Sequence, residues 1–203
     1  MNNKVSVIVP LSNNEPESQL AIKSIINQSY KNIEVIICLN GNTKEFNNQI
    51  IKKFRKFKNI FFYKLKKKNI VDALNFAVTK SRGSYIARFD TDDLNYKNRI
   101  AKQLKFFKKN NIDFLSSNCD VFLNNKYLYS HHTNFSKSYY TNPIIHPTIF
   151  VKKEILKKYK YEQIPFAEDY ELYLRLYLSG LKLKNLNKKL IIKNLNSKNI
   201  KNF

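Results

Sequence analysis

The sequence predicts an α/β fold, Rossmann-like, with a mostly parallel sheet flanked by helices, and three observations carry that prediction. Short apolar runs alternate three times with amphipathic helical stretches between Lys4 and Ser84. Such alternation implies right-handed crossovers and parallel strands. The run Ile33 to Leu39 (IEVIICL) is apolar on both faces, as in a central strand covered by helices on each side. The alternating run from Ser84 then ends in Asp90-Thr91-Asp92-Asp93, at the carboxyl end of a strand, where ligands collect in such sheets.

In order, Lys4 to Val9 reads as a strand stopped by Pro10, and polar Ser12 to Asn14 lead into a helix from about Glu15 to Asn27 with Ala21, Ile22, Ile25 and Ile26 on one face. After the second strand, Asn40-Gly41-Asn42-Thr43 caps a helix striped by Phe46, Ile50, Phe54 and Phe57. Asn59 to Leu65 reads as a third strand. Ile70, Leu74, Ala77 and Val78 mark a third helix, with Gly83 expected to close it in the left-handed region. A fourth helix runs from about Tyr96 to Asn110, with Ile100, Leu104 and Phe107 inward and its lysines solvated.

Beyond Asn111 the alternation breaks into a mixed region. Asp113 to Val121 reads as a strand, Asn124-Asn125 as a turn into Lys126 to Ser130, and His131 to Asn142 as a mobile loop. His146-Pro147-Thr148 introduces a strand (IFVKK). Glu168-Asp169 opens a helix ending at Ser179 and Gly180, with Leu172, Tyr173, Leu176 and Tyr177 as its buried stripe. Two short strands, around Leu183 and at Leu190 to Ile192, precede a frayed Lys/Asn tail. Neither a repeat nor a linker divides the chain. The expected organisation is one domain over 1–203, with a nucleotide-binding half to about 111, an acceptor half over about 112–193 and a tail over 194–203.

With 203 residues, 43% of them hydrophobic, the chain can bury roughly 70% of its unfolded surface. No run approaches the ~18 apolar residues of a membrane span, and Met-Asn-Asn-Lys lacks a signal-peptide core, so a cytoplasmic location is expected. Cys38 and Cys119 sit in apolar runs without metal-type spacing and read as buried free thiols. The 37 Lys and Arg against 15 Asp and Glu give a formal charge of +22. Such a charge suits a polyanionic partner, and an anionic membrane surface, with the protein peripheral on its inner face, is one reading. The excess is mostly Lys, alongside much Asn and Ile, so codon bias is the other. No recognition helix or RNA-binding signature accompanies it, and no nucleic acid partner is expected.

Carboxylates as close as those of DTDD need water, a basic side chain or a hard cation among them. A solvated acidic turn capping the next helix is the plainer alternative. Convergence with the loops after Val9 and Leu39 favours the site.

The order VSVIVP, IEVIICLNGN, ALNFAVTKSRGSYIARFDTDD, NRIAKQ, HPTIFV and AEDYELYLRLYLSG resembles the family 2 inverting glycosyltransferases of the GT-A fold, closest to the branch that builds bacterial surface polysaccharides. The likeness spans about Lys4 to Ile192. It implies transfer of a sugar from a nucleotide-sugar donor, a UDP-sugar first, to a glycan or lipid-linked acceptor by metal-assisted single displacement. It implies that Asp92, with Asp90, binds Mg²⁺ or Mn²⁺. Around the donor it places Pro10, Leu11, Ser12, Asn13, Leu39, Asn40, Asp72, Arg88, Asp90 and Thr91. It makes Asp169, with Glu168, the general base. Asp93 is expected to cap the following helix, and Arg99 to bridge back to the acidic loop or contact substrate. His146 contacts acceptor or phosphate, or is only held extended by Pro147.

Three departures stand out. Leu39 replaces an aspartate that bonds the base, with Asn40 beside it as a substitute. Leu11-Ser12 replaces Thr-Tyr. The chain ends soon after Ile192, where relatives continue into an arginine-histidine segment over the diphosphate. An inactive relative kept as a binding protein is consistent with those departures. A nucleotidyltransferase is a further alternative, but PLSNNEPE lacks the Gly- and Lys-rich phosphate loop that class carries.

Overall fold

A computed structural model describes residues 3–12, 17–132 and 142–195. The expected loop over 131–142, Asn13 and most of the tail therefore lie largely outside the described residues. The elements are β1 (Val5–Leu11), α1 (Glu17–Ile26), β2 (Ile33–Asn40), α2 (Lys44–Phe54), β3 (Ile60–Leu65), α3 (Ile70–Lys80), β4 (Tyr85–Arg88), β5 (Asp93–Asn95), α4 (Arg99–Asn110), β6 (Phe114–Leu123) and β7 (Lys126–His131). A 3-10 turn (His146–Thr148), β8 (Phe150–Lys152), α5 (Lys153–Lys158), α6 (Glu168–Leu178) and β9 (Leu183–Leu195) complete them.

One sheet has the order β3-β2-β1-β4-β8-β6-β9-β5, with β7 paired to β6. The pairs β1–β2, β1–β4, β2–β3 and β6–β9 are parallel, whereas β8 and β5 run antiparallel to their neighbours. The predicted, mostly parallel α/β sheet is thus observed. One face of the parallel half packs Val5, Val7, Val9 and Leu11 against α1 and α2, and the other packs Ile8, Ile36 and Cys38 against α3. Both cysteines are free and buried, and burial pushes the Cys38 thiol up to about 12.

Local chemistry accounts for the element ends. Thr43 accepts the Phe46 N–H at the start of α2, and Asn69 accepts that of Asp72 at the start of α3. Asn124 and Asn125, with φ of 48° and 64°, form the left-handed turn between β6 and β7.

Several expectations are corrected. Pro10 does not stop β1. It lies within the strand opposite Cys38, at a level where the β1–β4 ladder has ended at Ile8–Arg88, so its missing N–H leaves no ladder bond unmade on that side. Gly83 is not left-handed: only Gly41 and Gly180 have positive φ among the described glycines. A Cβ on Gly83 would stand 2.6 Å from the Lys4 carbonyl and 2.7 Å from Ser6 Oγ, so close approach of two backbones requires it. Tyr177 is exposed, leaving Leu172, Tyr173 and Leu176 as the buried stripe of α6. The two short C-terminal strands are one long strand, β9, whose register against β6 shifts twice near Asn118. Of the IFVKK run only Phe150 to Lys152 form β8; Ile149 precedes the strand and Lys153 begins α5.

Gly83 also completes a buried carboxylate site. Glu34, 1% exposed, accepts hydrogen bonds from Ser6 Oγ at 2.7 Å, from the N–H of Arg82 at 2.6 Å and of Gly83 at 3.1 Å, and from Arg82 Nε at 2.8 Å. Burial alone would raise the Glu34 pKa, but these bonds and the charge of Lys4 hold it below the ordinary value. The unfolded chain therefore takes up this proton first as pH falls. Stability from Glu34 is complete above the unfolded carboxylate pKa of about 4.3 and is lost as pH drops through its folded value. Denaturation followed from pH 7 to pH 3 should show this loss, and Glu34→Gln should flatten it while lowering stability at pH 7 by about 1–3 kcal/mol.

Candidate active site

β4 delivers the acidic loop. Its last residue, Arg88, is almost fully buried and places Nη2 2.8 Å from Asp90 Oδ1. Burial opposes its charge, but Asp90, Tyr161, Tyr173 and Asp169 together raise its pKa, so it remains a guanidinium. Asp90, Asp92 and Asp93 each offer a carboxylate oxygen, all within 4.8 Å of one another.

Asp93 does not cap α4. Asn98 is the N-cap residue, without a side-chain bond, and Asp93 is 2% exposed in β5, opposite Lys193 of β9. Its Oδ2 has no hydrogen-bond partner among the described residues. Burial carries its carboxyl up to about 8, against the pull of Lys193 and with the push of Asp92 and Asp90. Asp92 reaches solvent, yet the protein crowding it, followed by the charge of Asp90, also raises its pKa. Hard oxygen donors crowded in this way, one of them orphaned, fit Mg²⁺ or Mn²⁺.

A second carboxylate centre, at the start of α6, also acts on Arg88 through its charge. Asp169, in the first turn of α6, accepts Asn142 Nδ2 at 3.0 Å through Oδ2 and the N–H of Tyr170 at 2.7 Å through Oδ1. Glu168 precedes it, half-buried. His146 Nδ1 stands 3.7 Å from Asp169 Oδ2, and its Nε2 is 3.0 Å from Tyr161 Oη. Burial, then Arg88 and Lys193, push the His146 pKa well below its usual value, so the ring is neutral and the contact is not an ion pair. Tyr173 Oη and Arg88 Nε are buried without partners among the described residues, and both lie near these groups.

The expected donor pocket is less uniform. Leu11 and Leu39 face one another in register and are buried in the core. Asn40 is buried too, its Oδ1 accepting the Asn69 N–H at 2.9 Å, a bond that ties β2 to α3. Pro10 is buried, Ser12 is half-buried at the end of β1, and Thr91 is buried in the acidic loop. Asp72 is exposed on α3 and accepts Gln163 Nε2 at 3.0 Å, joining α3 to the loop before α6. Arg99 is fully buried. It neither contacts solvent nor forms an ion pair with Asp90 or Asp93; instead it donates to Asn95 Oδ1, Gln103 Oε1 and the Arg88 carbonyl.

Three site groups escaped sequence reasoning. Tyr173 read only as part of the buried stripe of α6, and Tyr161 carried no reading. Lys193 fell at the seam between a strand and a lysine-rich tail, and nothing local marks it, because its partner Asp93 lies 100 residues earlier in β5.

Comparison with known proteins bears on the family and the fold. Residues 6–175 match the model of glycosyl transferase family 2. The O-antigen biosynthesis glycosyltransferase WbnJ of Escherichia coli is 30% identical over 180 residues, covering 85% of this chain and 71% of its own. A crystal structure of S. aureus TarS in complex with UDP superposes with a TM-score of 0.79 at 20% identity, over 97% of this chain and 62% of that one. The mannosyltransferase PcManGT of Pyrobaculum calidifontis, in complex with GDP-Man and Mn²⁺, gives a TM-score of 0.76 at 16% identity, over 95% of this chain and 57% of that one. Some relatives are far longer, and this chain spans 22% of one Rickettsia bellii glycosyltransferase. No helix among the described residues is long and apolar enough to cross a membrane. A family match over most of the chain, a 30% identical relative covered over 71% of its length and a GT-A likeness over nearly all of this chain lead to one conclusion: the chain belongs to glycosyl transferase family 2.

Proposed function

We propose that the chain transfers a sugar from a nucleoside-diphosphate sugar to an acceptor glycan or lipid-linked saccharide in surface polysaccharide synthesis, with inversion at the anomeric carbon. The observation that carries this reading is the presence of two separate carboxylate centres, Asp90-Asp92-Asp93 and Asp169, whose charges both act on the buried Arg88. Single displacement needs such a division, one centre for the departing diphosphate and one for the incoming hydroxyl.

Asp90 and Asp92, with the orphaned oxygen of Asp93, would hold Mg²⁺ or Mn²⁺, which when bound supplies positive charge for the diphosphate. Asp169 takes the acceptor hydroxyl proton as that oxygen forms its bond to the anomeric carbon. The carbon–oxygen bond to the diphosphate breaks with its electron pair on the leaving group, and the new glycosidic bond lies on the opposite face. Glu168 adds negative charge beside the base, and Asn142 and the Tyr170 N–H fix the Asp169 carboxylate. Neutral His146 keeps positive charge away from that carboxylate. A UDP-sugar is the first donor to test. The net charge of +22 supports docking on the inner face of an anionic membrane, where each well-placed Lys contributes ~1 kcal/mol.

Thermal shift with UDP, GDP, CDP and ADP, each with and without Mn²⁺, tests the donor half. One diphosphate should stabilise the protein, and more so with Mn²⁺. Absence of any shift with all four would overturn the reading.

A further inference from the structure

Lys193 stands in an unusual position. It pairs with Asp93 in the antiparallel β5–β9 register and with Val121 in the parallel β6–β9 register. Residues directly opposite in an antiparallel pair project to the same face, with Cβ atoms about 5 Å apart. Its half-buried ammonium therefore looks onto the cluster of Asp90, Asp92 and Asp93. Yet it forms no ion pair with any carboxylate among the described residues, and Asp93 Oδ2 is left without a partner. The cation is near enough to feel all three carboxylates, which raise its pKa against the cost of burial. It also reaches the field of His146 on the acceptor side. Between Lys193 and the acids there is thus an unbridged gap.

Two ligands answer that arrangement in opposite ways. A free divalent cation entering the cluster meets the ammonium as a like charge, which weakens its binding. A cation arriving with a nucleoside diphosphate brings phosphate oxygens that fit between cation and ammonium, and the repulsion becomes attraction.

We propose that Lys193 makes metal and donor binding interdependent: it disfavours capture of a free divalent cation by Asp90, Asp92 and Asp93 and favours capture of the same cation together with a nucleoside diphosphate. The inference rests on the donor-site reading above and adds to it an order of events, in which metal and nucleotide enter as a unit. Arg88 differs from Lys193 in that its Nη2 is already paired with Asp90 Oδ1 at 2.8 Å.

The test follows Mn²⁺ by electron paramagnetic resonance, without nucleotide, for wild type, Lys193→Met and Lys193→Arg, and then UDP and GDP by calorimetry at saturating Mn²⁺. Lys193→Met should bind free Mn²⁺ about tenfold more tightly and the diphosphate about tenfold more weakly, while Lys193→Arg should match wild type in both. Lys193→Gln serves if the Met variant does not give a wild-type circular dichroism spectrum. Unchanged or weaker Mn²⁺ binding in the neutral variants, with wild type binding both ligands normally, would overturn the coupling alone. A wild type that takes up no Mn²⁺ with either nucleotide would overturn the donor-site reading and the coupling with it.

Discussion

Asp169→Asn is expected to reduce sugar transfer by about 10²–10⁴-fold, the usual contribution of a positioned general base, while leaving Mn²⁺-dependent binding of the nucleotide diphosphate unchanged. The reason is that the two carboxylate centres have separate contacts. Asp169 belongs to α6, and its contacts are Asn142, the Tyr170 N–H and His146, none of which belongs to the acidic loop. Asparagine keeps the size of the side chain and an oxygen able to accept from Tyr170. It removes the charge that accepts the acceptor's proton. Loss should therefore fall on kcat rather than on donor KM, and thermal stability should change by less than 1 kcal/mol. Glu168→Gln is the control, since a comparable loss there would transfer the role of base to the neighbouring carboxylate. Full transfer by Asp169→Asn would sink the assignment of Asp169.

The parallel half of the fold was legible because its signals are local. Val5 to Val9 and Ile33 to Leu39 are runs buried on both faces, and the stripes of α2 and α3 repeat at helical spacing. The C-terminal half was less so because its signals are pairwise. β9 carries Asn187, Lys188 and Lys189 mid-strand, where its register against β6 shifts, and the polar interruption reads as a loop between two strands. β5 is three residues long, and its existence depends on β9. The same contrast holds in the site. DTDD and Glu168-Asp169 announce themselves as compact acidic motifs, and the charges of Asp90 and Asp169 both act on the buried Arg88. Whether Asp93 caps a helix or faces a lysine is decided by a strand pairing that no stretch of Asp93's own neighbours encodes. Leu39 shows the converse, since a position expected to line a pocket is drawn into the core by its register with Leu11.

Arg99→Met should destabilise the protein by about 3–5 kcal/mol, a large share of the 5–15 kcal/mol typical of a domain. Arg99 is the largest fully buried side chain described, and burial brings its pKa down to about 9 against the support of Asp93 and Asp90. What compensates is a set of neutral acceptors: Asn95 Oδ1 at 2.5 Å, the Arg88 carbonyl at 2.7 Å and Gln103 Oε1 at 3.1 Å, with the guanidinium carbon 3.9 Å from the centre of the Phe89 ring. Methionine fills much of the volume but leaves all three oxygens buried and unpaired, each costing about 1–3 kcal/mol before the site relaxes. Arg99→Lys should recover only part of the loss, because one ammonium cannot span acceptors on β4, β5 and α4 together. Urea denaturation of the three proteins measures this directly, and a loss below 1 kcal/mol in the Met variant would refute it. The consequence for function follows from which elements are joined. Arg99 ties the last residue of β4 to the last of β5, and the acidic loop is the span between them. Gln103 extends the same network to the Thr148 carbonyl, beside His146. A fully buried arginine thus holds the loop that carries Asp90, Asp92 and Asp93 in register with the turn that carries His146, so the variant's Mn²⁺ affinity should fall along with its stability, even at temperatures where it remains folded.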